Sequence, residues 1–152
     1  MSQSTNASRR EDDGGDVRVV EVDIPSDVQY IEKVVELVQR ECALMHFGAR
    51  QLMLNLPVAL TEALSNAILR GNNDDPRKHV HVKARVDPKC LIIEVKDEGG
   101  GFDLDQCTID PTLPSNVDRE DGRGLFLMRK LMDRVEQFDD DGNVVRLTLH
   151  KQ

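Results

Sequence analysis

Three groups of residues in this sequence have types and spacings suited to chemistry. Glu62 and Asn66 lie four apart in Leu56–Leu69, LPVALTEALSNAIL, and therefore one turn apart on the same helix face. The segment is apolar nearly all round, which predicts a buried helix, and a carboxylate on such a helix needs a partner. The pair sits roughly opposite the stripe of Leu60, Leu64, Ala67 and Ile68. Asp97 closes the run LIIEVKD, where period-two alternation puts Leu91, Ile93, Val95 and Asp97 on one strand face. A carboxylate ending an apolar row calls for a donor, from the protein or from a ligand. Gly99, Gly100 and Gly101 follow at once, and backbone without side chains lets a flat ligand come close. Finally, Gly122-Arg123-Gly124-Leu125 stands where a helix is expected to begin, and free N–H groups there hold anions such as phosphates. Arg123 would add a charge-assisted contact.

Each group has a plainer reading. Glu62 and Asn66 also suit a solvated helix face, Asp97 and its glycines a strand-ending turn, and glycine is frequent at helix starts without any ligand. Their order along one chain is harder to reach by accident than any single element.

The elements that position these groups follow from periodicity and punctuation. Residues 1–16 carry one Ala as their only apolar residue after Met1 and read as a disordered tail. Residues 17–24 are β-branched and suggest a strand. Pro25 with Ser26 or Asp27 then opens a helix to about Phe47, which Gly48 ends. A second helical region covers about Ala49 to Leu69, with Pro57 marking a break or the first turn of a new helix. Gly71 to Pro76 is a loop, and 79–86 and 90–97 are paired strands. Residues 102–121 show no sustained period; connections this long tend to be lids or disordered. A helix from about Gly124 to Asp133 and two closing strands, 134–138 and 144–150, complete the chain. The order predicts one α+β domain over 17–152, a two-layer α/β sandwich with a mainly antiparallel mixed sheet.

Composition narrows the function. A hydrophobic fraction of 39% is ordinary for a globular chain of 152 residues. Apolar runs fall short of a membrane span and no apolar leader region follows Met1, so neither a membrane nor a secretory role is expected. A net charge of −8, with no Trp, one Tyr and four Phe, disfavours nucleic-acid binding. The three cysteines, Cys42, Cys90 and Cys107, suit a reducing cytoplasm. His79 and His81 alternate on one strand face without a third ligand nearby and read as solvated. Cys107, among Asp103, Asp105 and Asp110, reads as inert, and Asp139–Asp141 as a turn.

Glu62-Ala63-Leu64-Ser65-Asn66-Ala67 resembles the N box of the histidine-kinase-like (Bergerat) ATP-binding fold shared by DNA gyrase, sensor histidine kinases and heat-shock chaperones. Asp97 to Gly101 resembles its first glycine box and Gly122 to Leu125 its second. The strings LTEALSNAILRGN, VKDEGGGFD and GRGLFLMRKLMD are most similar to the short bacterial anti-sigma factor serine/threonine kinases, over roughly residues 17–150. The resemblance implies that Asp97 accepts a hydrogen bond from the adenine amino group, with Gly99 and Gly101 beside it. Asn66 would offer a carbonyl oxygen to Mg²⁺, and Glu62 would act as general base on a serine or threonine hydroxyl. Gly122, Arg123, Gly124 and Leu125 would hold the β- and γ-phosphates of ATP under the lid. Arg70 replaces the family's usual histidine at the end of the N-box helix, and the usual threonine of the closing strand is matched by Val144. The implied activity is that of a cytoplasmic Mg-ATP-dependent kinase and homodimer, which sequesters a sigma factor and phosphorylates an anti-anti-sigma protein. The alternative is a non-catalytic, nucleotide-gated partner-binding module on the same fold.

Overall fold

Alternating valines and isoleucines build the sheet. The computed structural model describes residues 4–10, 16–99 and 120–152. Six strands form one sheet: β1 (Ser4–Arg10), β2 (Arg18–Pro25), β3 (His79–Val86), β4 (Cys90–Asp97), β5 (Arg134–Asp139) and β6 (Asn143–His150). Their order is β1-β2-β3-β4-β6-β5, and every described pairing is antiparallel. Val22, Val82, Val95 and Val145 lie in register on one face, as do Val20, Ala84, Ile93 and Leu147, and all are buried. Opposite them the outer face carries Glu21, Lys83, Glu94, Arg146 and Glu136, each directly across from the next. Cross-strand pairs of opposite charge stabilise a sheet surface. The best formed is Arg146 on Glu94 at 2.7 Å, with the guanidinium over the Phe138 ring at 4.6 Å.

The helices α1 (Ile31–Leu44), α2 (Leu56–Asn66) and α3 (Glu120–Leu131) supply the other layer of the α+β sandwich. Val34, Val35, Val38 and Cys42 of α1, the Leu56-Leu60-Leu64-Ile68 stripe, and Leu125 and Met128 of α3 share one core with the inner sheet face. Burying each Leu or Ile side chain stabilises by about 1.5–3 kcal/mol, so this stripe is the main anchor of α2. Burial at Cys42 pushes its thiol up to about 12, which keeps it unreactive. A buried carboxylate on α1, Glu41, is matched by Arg18 of β2, whose Nε donates to it at 2.7 Å.

Two expectations are corrected. Ser4–Arg10, assigned to a disordered tail, forms β1 against β2. Strand pairing uses backbone groups, so an edge can recruit a segment that has almost no apolar residues. Asp27 caps a 3₁₀ turn at Val28–Tyr30, accepting from the Gln29 amide at 3.0 Å, and α1 begins only after it. Pro57 stands in the first turn of α2, one of the two places expected for it, and a wide π turn at Gln51–Asn55 precedes it. The wider turn accommodates the ring that an α turn would clash with. A second π turn, Ala67–Gly71, continues the helix to the site. The unbroken stretch Gln51–Gly71 is long and apolar enough to cross a membrane by length and composition, but here it is the helix that covers the sheet.

Candidate active site

Asp97 ends β4 on the inner face, as its alternation requires, and is 1% exposed. Its Oδ1 accepts from the Gly99 amide at 2.8 Å and its Oδ2 from Asn143 Nδ2 at 3.1 Å. Burial pushes its pKa above the ordinary carboxylate value, while Asn143, Gly99 and nearby Lys78 pull it down. Two bonds leave a carboxylate with further lone pairs, so Asp97 can still accept from a ligand's amino group. The π turn brings Gly71 against this carboxylate so closely that a Cβ there would overlap Asp97. A Cβ on Gly99 would in turn overlap the Gly71 carbonyl. The glycine after Asp97 and the one ending the helix thus belong to one contact.

Asn72, next in the chain, is fully buried and joins four segments. Its Nδ2 donates to Ser26 Oγ at 2.8 Å and to the His79 carbonyl at 2.9 Å, while its Oδ1 accepts from the Glu98 amide at 2.8 Å. The helix end is thereby fixed to the ends of β2 and β4 and the start of β3. Loop composition at 71–76 carries no signal for such a hub.

Glu62 and Asn66 turn toward α3. A Cβ placed on Gly124 would stand 2.7 Å from Glu62 Oε2 and 3.9 Å from Asn66 Nδ2. Burial alone pushes the Glu62 carboxyl above its ordinary value of 4.5. Gly122 and Gly124 were expected at the start of the helix; α3 instead begins at Glu120, and both fall in its first turns with Arg123 between them. The first four N–H groups of a helix lack intrahelical partners, so the free amides of α3 include those of Gly122 and Arg123. The Leu125 side chain is 1% exposed within the core, and its amide, at the sixth position of α3, lies past the four free N–H groups, so the expected phosphate contact from Leu125 is corrected. Arg70 is half-buried in the π turn, beside Gly71.

Gly124→Ala separates stability from chemistry here. Alanine favours a helix over glycine by about 0.5–1 kcal/mol, yet its methyl displaces the flexible Glu62 carboxylate. The variant is expected to melt no lower than the parent and to react at least about tenfold more slowly, read from thermal melts and single-turnover rates.

The site therefore gathers Asp97, Gly99 and Gly71 at one place, and, at the preceding turns of the helix that ends at Gly71, Glu62 and Asn66 beside Gly124 of α3. Residues 100–119, which include Gly101, Cys107 and most of the expected lid, lie outside the described residues. Val144 does not face Asp97. Register pairs Asp97 with Asn143 and Val144 with Lys96, which turns Val144 to the outer face. The residue beside the carboxylate is Asn143, 6% exposed, whose Oδ1 accepts from Gln137 Nε2 at 2.7 Å. His79 and His81 sit on the outer face, where they line an open cleft of about 420 Å³ with Asp23, Lys96 and Glu98. Among the described residues no group of three or more His, Cys, Asp or Glu could hold a metal ion.

An antiparallel sheet covered on one face by helices, with an acidic strand end against an N-box helix, defines a class. The family model described as "Histidine kinase-like ATPase domain" matches residues 24–149, and the chain belongs to that family. Within it, the chain is 33% identical over 137 residues to "Serine-protein kinase RsbW" of Bacillus velezensis, covering 87% of this chain and 85% of the relative. The protein of the same name from Bacillus subtilis is 31% identical over 134 residues, covering 85% and 83%. "Anti-sigma F factor" of Clostridium beijerinckii is 26% identical over 99 residues, covering 64% and 69%.

Proposed function

We propose that this chain is an ATP-dependent protein serine/threonine kinase that acts as an anti-sigma factor in a bacterial cytoplasm. It binds a sigma factor and phosphorylates an anti-anti-sigma protein on a serine or threonine. The observation that carries this reading is Glu62, a carboxylate with a raised pKa held beside Asn66 and the start of α3. The 33% identity to a serine-protein kinase over most of both chains supports it.

In this reading Asp97 accepts from the adenine amino group, and Gly71 and Gly99 keep the base site free of side chains. Asn66 would hold Mg²⁺ through its amide oxygen, a ligand type that a hard cation prefers. Bound Mg-ATP would supply the phosphoryl group, with Mg²⁺ offsetting the charge of the phosphates. Gly122 and Arg123 receive the phosphates through the free amides at the N-terminus of α3, Gly124 leaves room there beside Glu62, and Arg70 adds a cation nearby. Glu62 takes the proton from the attacking hydroxyl, a task for which a raised pKa is suited. The functional assembly is a homodimer.

The test uses purified chain, Mg-ATP labelled at the γ-phosphate, and candidate anti-anti-sigma and sigma proteins of the same genome. The expected result is label on a serine or threonine of one anti-anti-sigma protein and capture of a sigma factor. Nucleotide-dependent capture with no label on any partner would overturn the kinase reading in favour of a nucleotide-gated binding module.

A further inference from the structure

We infer that Asn55 is a positioning residue for phosphate capture: by holding the last carbonyl of α3 it sets where the other end of that helix stands against Glu62 and Asn66. The inference rests on the assignment of the phosphates to the start of α3 and extends it to a residue outside the motifs. Asn55 closes the π turn before α2, and its Nδ2 donates to the Leu131 carbonyl at 2.6 Å. Leu131 is the last residue of α3, where the final carbonyls lack intrahelical partners. Near the other end of α3, Gly124 stands against Glu62 and Asn66. Seven residues separate Asn55 from Glu62, and seven separate Gly124 from Leu131. The two contacts are therefore matched rungs, about two turns apart, on an antiparallel pair of helices. Between the rungs lie Ala59 of α2 and Leu125 and Met128 of α3, all buried.

The lower rung gives direction more than strength. Apolar contacts are non-directional and let one helix shift against another, whereas an N–H···O bond fixes distance and angle. The Asn55 Oδ1 is buried and accepts no hydrogen bond from any described residue. An unpaired buried acceptor costs as much as one such bond returns, so the amide adds little net stability. The π turn that carries Asn55 is itself braced. Gln51 Nε2 donates to the His150 carbonyl at 2.8 Å, and Gln39 Nε2 to the Leu52 carbonyl at 2.7 Å. Past Leu131, the Asp133 amide donates to the Thr148 carbonyl at 2.9 Å, and Asp133 Oδ2 accepts from the His150 amide at 2.6 Å. The chain beyond α3 is thus tied to β6, and Asn55 fixes the direction in which the helix leaves that tie. Without the amide, α3 can pivot about Asp133, and the displacement is largest at the N-terminal end, where the phosphates arrive.

The experiment titrates adenosine and Mg-ATP, followed by NMR chemical shift, into the parent chain, Asn55→Leu and Asn55→Ala, with thermal melts of all three. Leucine is close to asparagine in size and removes the unpaired oxygen together with the donor, so Asn55→Leu should melt within a few degrees of the parent. It is expected to bind adenosine within about twofold of the parent, because the base does not meet α3. Mg-ATP should bind about tenfold more weakly, the loss of about one charge-assisted bond to phosphate. Asn55→Ala should show the same split between the two ligands at a lower melting temperature. Parent-like Mg-ATP affinity in both variants overturns the role of Asn55 and leaves the phosphate site standing. A loss equal for adenosine and Mg-ATP, which a merely structural residue would give, overturns it as well. Equal affinity of the parent for the two ligands, or binding of neither, overturns the phosphate assignment and the inference with it.

Discussion

Glu62→Gln is expected to lower phosphate transfer by about 10²–10⁴-fold while leaving nucleotide binding nearly unchanged. The glutamine keeps the shape and the contact with Gly124 but cannot take a proton. The same substitution should raise thermal stability at neutral pH. Burial pushes the Glu62 pKa up in the folded chain, so the fold favours the protonated form. Its contribution to stability is fully present below the ordinary value of 4.5 and is lost as pH rises through the folded value. At neutral pH the charged carboxylate therefore weighs against folding, and the neutral isostere removes that cost. Transfer by the parent should correspondingly fall on acidification at a pH above 4.5, with its acid limb set by Glu62. Single-turnover rates against pH, with melts of both proteins, measure all three effects. A variant that transfers phosphate at the parental rate would remove Glu62 from the mechanism.

Gly71→Ala should damage the base site from the helix side. The added methyl would occupy the space of the Asp97 carboxylate, and Asp97 is fixed by Gly99 and Asn143. Forced overpacking of this kind costs about 1–3 kcal/mol, seen as a lower denaturant midpoint. Displacing a charged acceptor from its ligand costs about 1.5–3 kcal/mol, so ATP affinity is expected to fall by about 10–100-fold. Wild-type stability together with wild-type affinity would mean that Gly71 and Asp97 are not in the contact described.

Legibility followed locality. Asp97 could be placed on the inner face because its strand alternates without a bulge from Leu91, and Glu62 and Asn66 could be paired because helical spacing is fixed over one turn. The α+β layering followed from the same periodicities. Features that depend on pairing between distant segments were not legible. β1 forms because β2 offers an edge, which the composition of residues 4–10 does not reveal. Asn72 and Asn143 read as loop and turn residues, and become site residues only when Ser26, His79, Glu98 and Asp97 arrive from elsewhere. Matching the closing strand by sequence fell one residue from Asn143, and in a strand one residue exchanges the two faces of the sheet. Pro57 was legible as the first turn of a helix, whereas the π turn before it was not, since it has no composition of its own.

The central claim is that Asp97 recognises the base of a bound nucleotide, and titration of Mg-ATP into the parent chain and Asp97→Asn tests it most directly. A hydrogen bond to a charged acceptor contributes about 1.5–3 kcal/mol, so the account predicts saturable binding by the parent and affinity about 10–100-fold weaker in the variant. Equal affinities, or no binding by the parent chain, would contradict it.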